Sequence, residues 1–279
     1  MSLTTTDLGN CLDNVRRAHP LVHCITNYVT VNDCANALLG CGGSPIMSDE
    51  PAEVADICGI CGGLVLNIGT LNQRTIEAMR IARERAAELG HPIVLDPVGA
   101  GASALRTEVA GELACIPAPT VIRGNMSEMR AVAGAAAATR GVDVNPEDAV
   151  REDNLAESAR FARALASRLN TVVAITGAID IVADSARAVA IRNGVALMGS
   201  ITGAGCMLSA ITGAYVTANP NDAFTATVAA IACEGLAGQV AAARMDASDG
   251  VGSFRTYLLD AISTMDAAQL AAGAAIEEL

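Results

Sequence analysis

The chain has 279 residues, 52% of them hydrophobic and 2% aromatic, with no Trp, and a formal net charge of −12. Its length is enough for a large buried core, and residues 1–279 are expected to form a single α/β domain. The acidic balance leaves no basic face for a nucleic-acid partner, and so few rings argue against base-stacking platforms and sugar-binding shelves.

Leu8, Cys11, Leu12 and Val15 recur at helical spacing and predict a helix over Asp7 to His19, ended by Pro20. Leu21 to Ile25 then reads as a strand running into a polar turn, with a helix over Val31 to Leu39 ended by Gly40. Asn27 falls at the carboxyl end of that strand, where open α/β sheets bind ligands; a turn or capping role also explains it. Gly43 to Ser48 is a second short strand ending near Met47, a residue that ordinarily fills core space, and Pro51 suits the first turn of the next helix. Cys58-Gly-Ile-Cys61 has redox or zinc spacing, but without a second pair or a suitably spaced His it reads as structural.

Gly63 to Thr70 is a continuous apolar run of the buried parallel type, followed by a helix over Asn72 to Leu89. Pro92 to Leu95 is another, and it delivers Asp96-Pro97-Val98-Gly99-Ala100-Gly101 at its carboxyl end. Asp96 there suits Mg²⁺ or its water shell beside a phosphate, or caps the turn before the helix containing Leu105. Thr120 to Arg123 is a short strand, and Gly124 to Val132 a helix for which Asn125 and Glu128 form a capping box. Glu128 is alternatively a second carboxylate for the same Mg²⁺, with Arg123 near a phosphate. Ala135 to Asp148 is polar and alanine-rich, a surface loop ahead of a helix over Ser158 to Leu169.

Thr171 to Thr176 repeats the buried-strand pattern and ends in a hydroxyl, and Ile179 to Ala183 pairs with Ala188 to Ile191 as a hairpin. Ser200-Ile-Thr-Gly-Ala-Gly-Cys206 follows, opening a helix over Met207 to Tyr215. Bare amides at Gly203, Ala204 and Gly205, at the positive end of a helix, can hold a phosphate, although a glycine turn alone also serves close packing. Cys206 stands at that helix start, where the thiolate is favoured and a substrate hydroxyl can lose its proton to it. Pro220 to Ala242 and Ser253 to Leu270 read as alanine-rich helices. No apolar run spans a bilayer uninterrupted, and nine scattered cysteines, odd in number and without a signal peptide, predict a soluble, cytoplasmic protein with reduced thiols.

Asn27, Asp96, Arg123 with Glu128, Thr176 and the Cys206 turn would thus gather at one edge of a parallel sheet, a set suited to phosphoryl transfer. There is no Walker-A sequence and no G-x-G-x-x-G after the first strand, so neither a P-loop enzyme nor a dinucleotide oxidoreductase is expected. From Cys11 to about Leu258 the chain resembles the hydroxyethylthiazole kinases of thiamine salvage, in the ribokinase-like superfamily. The resemblance rests on residues 20–27 (PLVHCITN), 44–47 (SPIM), 64–70 (LVLNIGT), 96–101 (DPVGAG), 122–125 (IRGN) and 202–206 (TGAGC). It implies a ribokinase-like three-layer α/β/α fold with a central mostly parallel sheet, and transfer of the ATP γ-phosphoryl group to 4-methyl-5-(2-hydroxyethyl)thiazole. It further implies that Arg123 and Thr176 contact ATP, that Asp96 and Glu128 lie at the Mg²⁺, that Met47, Asn27 and Gly203 border the thiazole alcohol, and that Cys206 is catalytic. A homotrimer with shared active sites is also implied. Cysteine rather than aspartate in the glycine turn favours this branch over the sugar and pyrimidine kinases. Ser200 departs from the family pattern, which has a basic residue there, and the 134–157 segment matches poorly. The alternatives are a related kinase for another small alcohol, such as hydroxymethylpyrimidine, and a nucleotide-binding regulator without turnover.

Overall fold

The computed structural model describes residues 3–115, 117–136 and 150–279. Strands β1 (Leu21–Ile25), β2 (Ser44–Ile46), β3 (Gly63–Asn67), β4 (Ile93–Asp96), β5 (Val121–Gly124), β6 (Val172–Ile175), β7 (Asp180–Ala183), β8 (Ala188–Ile191) and β9 (Ile276–Glu278) form one sheet in the order β2-β1-β3-β4-β5-β6-β7-β8-β9. From β2 to β6 the pairing is parallel, and from β6 to β9 it is antiparallel. The apolar strand sequences require cover on both sides, and both sides have it. Because side chains alternate, Val22, Cys24, Val65, Val94, Val121 and Ala174 face a core shared with α1 (Thr5–Ala18), α2 (Val31–Cys41), α8 (Ala204–Ala218), α9 (Ala223–Arg244), α10 (Val251–Thr264) and α11 (Ala267–Gly273). Ile25, Leu64, Leu66, Leu95, Ile122 and Ile175 face the opposite core, closed by α3 (Val54–Ile60), α4 (Gln73–Glu88), α5 (Ala104–Ala114), α6 (Met126–Ala136) and α7 (Leu155–Leu169). The result is the expected three-layer α/β/α arrangement around a mostly parallel sheet.

Four expectations fail, each for a local reason. Helix α3 starts at Val54, so Pro51 sits in the preceding turn rather than in the helix's first turn. The Ser253 to Leu270 helix is two helices, α10 and α11; Asp266 is extended and its carboxylate accepts from the Gln269 amide, which starts α11 afresh. Strand β9 carries no apolar alternation and was not anticipated. Helix α9, at 22 residues, is long and apolar enough to cross a membrane, against the expectation of no such segment, but 72% of its apolar window is buried within the fold, where it is a core helix. Of the 135–148 loop, Ala135 and Ala136 belong to α6, and 137–148 lies outside the described residues.

The chain's end is tied in by its backbone. The Ala275 amide donates to Asn193 Oδ1 at 2.8 Å, and Asn193 Nδ2 donates to the carbonyl of Gly273 at 2.9 Å, so the link from α11 to β9 is fastened to the segment that follows β8.

Candidate active site

Strands β1, β4, β5 and β6 end on the same side of the sheet, and their terminal residues meet there. Asp96, the last residue of β4, is fully buried. Its Oδ2 accepts from Ser209 Oγ at 2.7 Å and from Asn67 Nδ2 at 2.8 Å, and lies 3.7 Å from Arg123 Nη1; Oδ1 is buried without a hydrogen-bond partner. Burial pushes the Asp96 pKa up to about 6, reinforced by Glu128 and restrained by Arg123, Ser209 and Asn67.

Arg123, on β5, is the hub. Its Nη2 donates to Thr176 Oγ1 at 2.8 Å and its Nη1 to the carbonyl of Gly205 at 3.1 Å, which clamps β5, β6 and the first turn of α8 together. A side chain at 205 would push this guanidinium aside, since a Cβ there would lie 2.7 Å from Arg123 Nη1. Gly203, the N-cap residue of α8, has φ +91, and a Cβ on it would meet Thr30 Cγ2 at 2.7 Å. No side chain caps α8, so its first amides remain available to an anion.

Cys206 lies in that first turn. Asn27 Nδ2 donates to its sulfur at 3.1 Å and Asn67 Nδ2 at 3.3 Å, and Asn27 Nδ2 also reaches Asn67 Oδ1 at 3.1 Å. The thiol, expected to be acidified by the helix terminus, is instead shifted upward. Burial is the largest cause and the Asp96 carboxylate the second, and together they outweigh the donors Thr30, Asn27 and Asn67. Asn27 is at once a turn residue, its Oδ1 accepting from the Thr30 amide and hydroxyl, and a link between β1 and Cys206.

Glu128 fills the capping box with Asn125: its Oε2 accepts from the Asn125 amide, and Asn125 Oδ1 from the Glu128 amide. Its Oε1 accepts from the Gly99 amide at 2.8 Å, which fastens α6 to the loop following Asp96. Among the described residues no three acids, cysteines or histidines cluster as a metal site. The donor set nevertheless suits Mg²⁺, which commonly takes one or two carboxylates and leaves the other positions to water and phosphate: Asp96 keeps an unpartnered Oδ1 and Glu128 stands in reach of its field.

A cavity of 590 Å³ opens beside this cluster, lined by Arg123, Thr176, Gly203, Ala204 and Gly205 and also by Val195, Met198, Ile231 and Glu234. Asn27, Asp96, Glu128 and Cys206 do not line it; Asp96 joins it through Arg123, and Cys206 through Asn67 and Asp96. Met47 lies just past β2, packed against the core, with no hydrogen bond to this cluster. The sequence reading did not single out Asn67, Ser209, Asp180 or Glu234. Asn67 closes an apolar strand as Asp96 does, which was a usable signal; the other three acquire meaning only from tertiary neighbours. The nine cysteines are free and none pairs, as expected, and the Cys58 thiol lies 3.3 Å from Nδ1 of the buried His23.

A model of the hydroxyethylthiazole kinase family matches residues 12–268. The chain is 48% identical over 259 residues to a hydroxyethylthiazole kinase of Clostridium acetobutylicum, covering 93% of this chain and 95% of that protein. It is 47% identical over 282 residues to one of Desulfovibrio desulfuricans, covering 98% and 99%. Among solved structures, the hydroxyethylthiazole kinase protein of Pyrococcus horikoshii superposes with a TM-score of 0.86 at 37% identity over 98% of each chain. A Staphylococcus aureus pyridoxal kinase in complex with pyridoxal superposes with a TM-score of 0.61 over 93% of this chain and 97% of that one, and at 15% identity it shares the fold.

Proposed function

The chain belongs to the hydroxyethylthiazole kinase family, and from that membership we propose that it transfers the γ-phosphoryl group of ATP to the hydroxyl of 4-methyl-5-(2-hydroxyethyl)thiazole, as one kinase domain over residues 1–279. The product would feed thiamine biosynthesis in the cytoplasm. The observation that carries the reading is the Arg123 clamp: one guanidinium ties Thr176 and Gly205 together at the mouth of an uncapped helix and stands 3.7 Å from a buried aspartate. Positive charge, bare amides and a carboxylate brought to one point are what phosphoryl transfer demands, because the loose transition state is served mainly by placement and charge neutralisation.

In this reading Arg123, Thr176 and the amides of Gly203, Ala204 and Gly205 take the phosphates. Asp96, with Glu128 beside it, would hold Mg²⁺, which when bound neutralises charge on the transferring group. Asn27, Met47 and Gly203 border the thiazole alcohol. Cys206 accepts the alcohol proton late in the transfer; it is a base only as thiolate, a form that Asn27 and Asn67 favour and that burial and Asp96 oppose. A homotrimer with shared sites fits the exposed Tyr28, Val29 and Val31, apolar residues that directly follow Asn27.

The test is ADP release from ATP with the thiazole alcohol present and absent, and with hydroxymethylpyrimidine as a competing alcohol. Turnover that needs the thiazole alcohol supports the assignment. Turnover with the pyrimidine alone moves the substrate, and nucleotide binding without turnover on any alcohol moves the chain to a regulatory role.

A further inference from the structure

Helix α9 turns Ile231, Glu234 and Gly235 toward the cavity, positions three and four apart that share one helix face. Glu234 is 2% exposed, and its Oε1 is buried with no hydrogen-bond partner. A buried acid left unsatisfied is destabilising, and its neighbours in the helix (Ile231, Ala232, Cys233, Ala237) give no packing reason for one. The charged groups that face it are Arg123 of β5 and Asp180 of β7; β6, β8 and the turn over Ala196–Ser200 contain no ionisable residue. Burial dominates, reinforced by Asp180 and opposed by Arg123, and pushes the Glu234 pKa up to about 8. Near neutrality the group is therefore mostly a neutral carboxylic acid, one O–H donor beside one carbonyl acceptor.

The rest of the cavity leaves this pair of groups alone to do the reading. Arg123 and Gly203 to Gly205 suit phosphates, and the lining also includes the apolar Val195, Ala196, Met198, Ile201, Leu208 and Ile231, which suit the faces of a ring. Other polar side chains of the lining are already engaged. Asn193 donates to Gln239 and Gly273 and accepts from Ala275, Asp180 accepts from the Gly177 amide through Oδ1 and offers an acceptor but no amide-like donor and acceptor pair when ionised, and the Thr176 hydroxyl is taken by Arg123. We propose that Glu234 is the residue that recognises the nucleobase, its carboxyl group pairing with a purine edge that presents a ring-nitrogen acceptor beside an exocyclic amino donor, as adenine does. The proposal rests on the nucleotide reading of this cavity and names the residue that makes that site selective.

The experiment is calorimetric titration of the full chain, without any alcohol, using ADP and the analogue whose base lacks the 6-amino group (purine riboside diphosphate). The proteins are wild type, Glu234→Gln and Glu234→Leu. The glutamine amide also offers a donor beside an acceptor, so Glu234→Gln should bind ADP within about threefold of wild type, whereas Glu234→Leu should lose about tenfold. The wild-type preference for ADP over the analogue should shrink toward one in Glu234→Leu. Wild-type affinity for ADP should also fall above pH 8 toward the level of Glu234→Leu, while Glu234→Gln stays level, a readout that needs no substitution to fold. An undiminished ADP preference in Glu234→Leu, or a wild-type profile level to pH 9.5, overturns the proposal. If wild type binds neither nucleotide, the nucleotide reading itself fails and takes the proposal with it.

Discussion

Ser209→Ala deletes one oxygen from a fully buried position on α8 and leaves the backbone and the apolar packing in place. What it removes is a 2.7 Å hydrogen bond to Asp96 Oδ2, one of three groups that hold the buried carboxylate ionised against its own desolvation. A hydrogen bond to a charged acceptor contributes about 1.5–3 kcal/mol, which corresponds to roughly one to two pH units. The Asp96 pKa, about 6 in the wild type, should rise by about one unit or more. Since kcat/KM reports ionisations of the free protein, the acid limb of its pH profile should move upward by the same amount. At pH 6 the variant should be about tenfold slower than wild type, and near pH 8.5 the two should converge. The assay is ADP release at subsaturating thiazole alcohol from pH 5.5 to 9. An acid limb that superimposes on the wild type, or a loss equal at every pH, would refute both the placement of Asp96 in the reaction and the role of Ser209 in keeping it charged.

Cys206→Ala should lower kcat by up to about a hundredfold while leaving the ATP titration nearly unchanged, because proton removal matters less than placement in a loose transition state; equal loss in both counts against a proton-accepting role. Gly203→Ala must place a Cβ against Thr30 at φ +91, so urea denaturation should show a loss of about 1–3 kcal/mol, accompanied by weaker nucleotide binding; an unchanged midpoint would mean the turn can relax. Chelation with EDTA should abolish ADP release and added Mg²⁺ restore it, and Asp96→Asn should need a higher Mg²⁺ concentration for half-maximal rate than wild type. Full turnover in EDTA would remove the carboxylates from any metal role.

The parallel half of the fold was legible because each strand is a short apolar run closed by Gly, Pro or a polar residue, and β1, Leu21–Ile25, was read to the residue. The same rule missed β9, whose Ile276, Glu277 and Glu278 carry no pattern and are strand only because β8 offers an open edge. It also ran α10 into α11, since alanine and leucine keep helical spacing through a break that one aspartate imposes. In the candidate site, Asp96, Arg123, Thr176 and the Cys206 turn announced themselves as polar residues at the ends of apolar segments. Ser209 and Glu234 did not, for each sits inside a helix that reads as core, and what sets them apart is a partner 113 residues away in one case and the lack of one in the other. The upward shift of the Cys206 thiol is hidden from the sequence for a related reason. A helix terminus is visible in sequence, while desolvation and the carboxylate behind it are properties of packing.

Asn193 lines the cavity, yet its side chain is held by peptides of the chain's last seven residues. The wall of the site is therefore braced from a place remote, along the polypeptide, from every reacting atom. A protein clipped after residue 272 would lose only the edge strand β9 and the last residue of α11, keep the other eight strands and the remaining helices, and still present as one with poor nucleotide affinity. Mass spectrometry of the intact chain thus belongs ahead of any kinetic comparison between preparations.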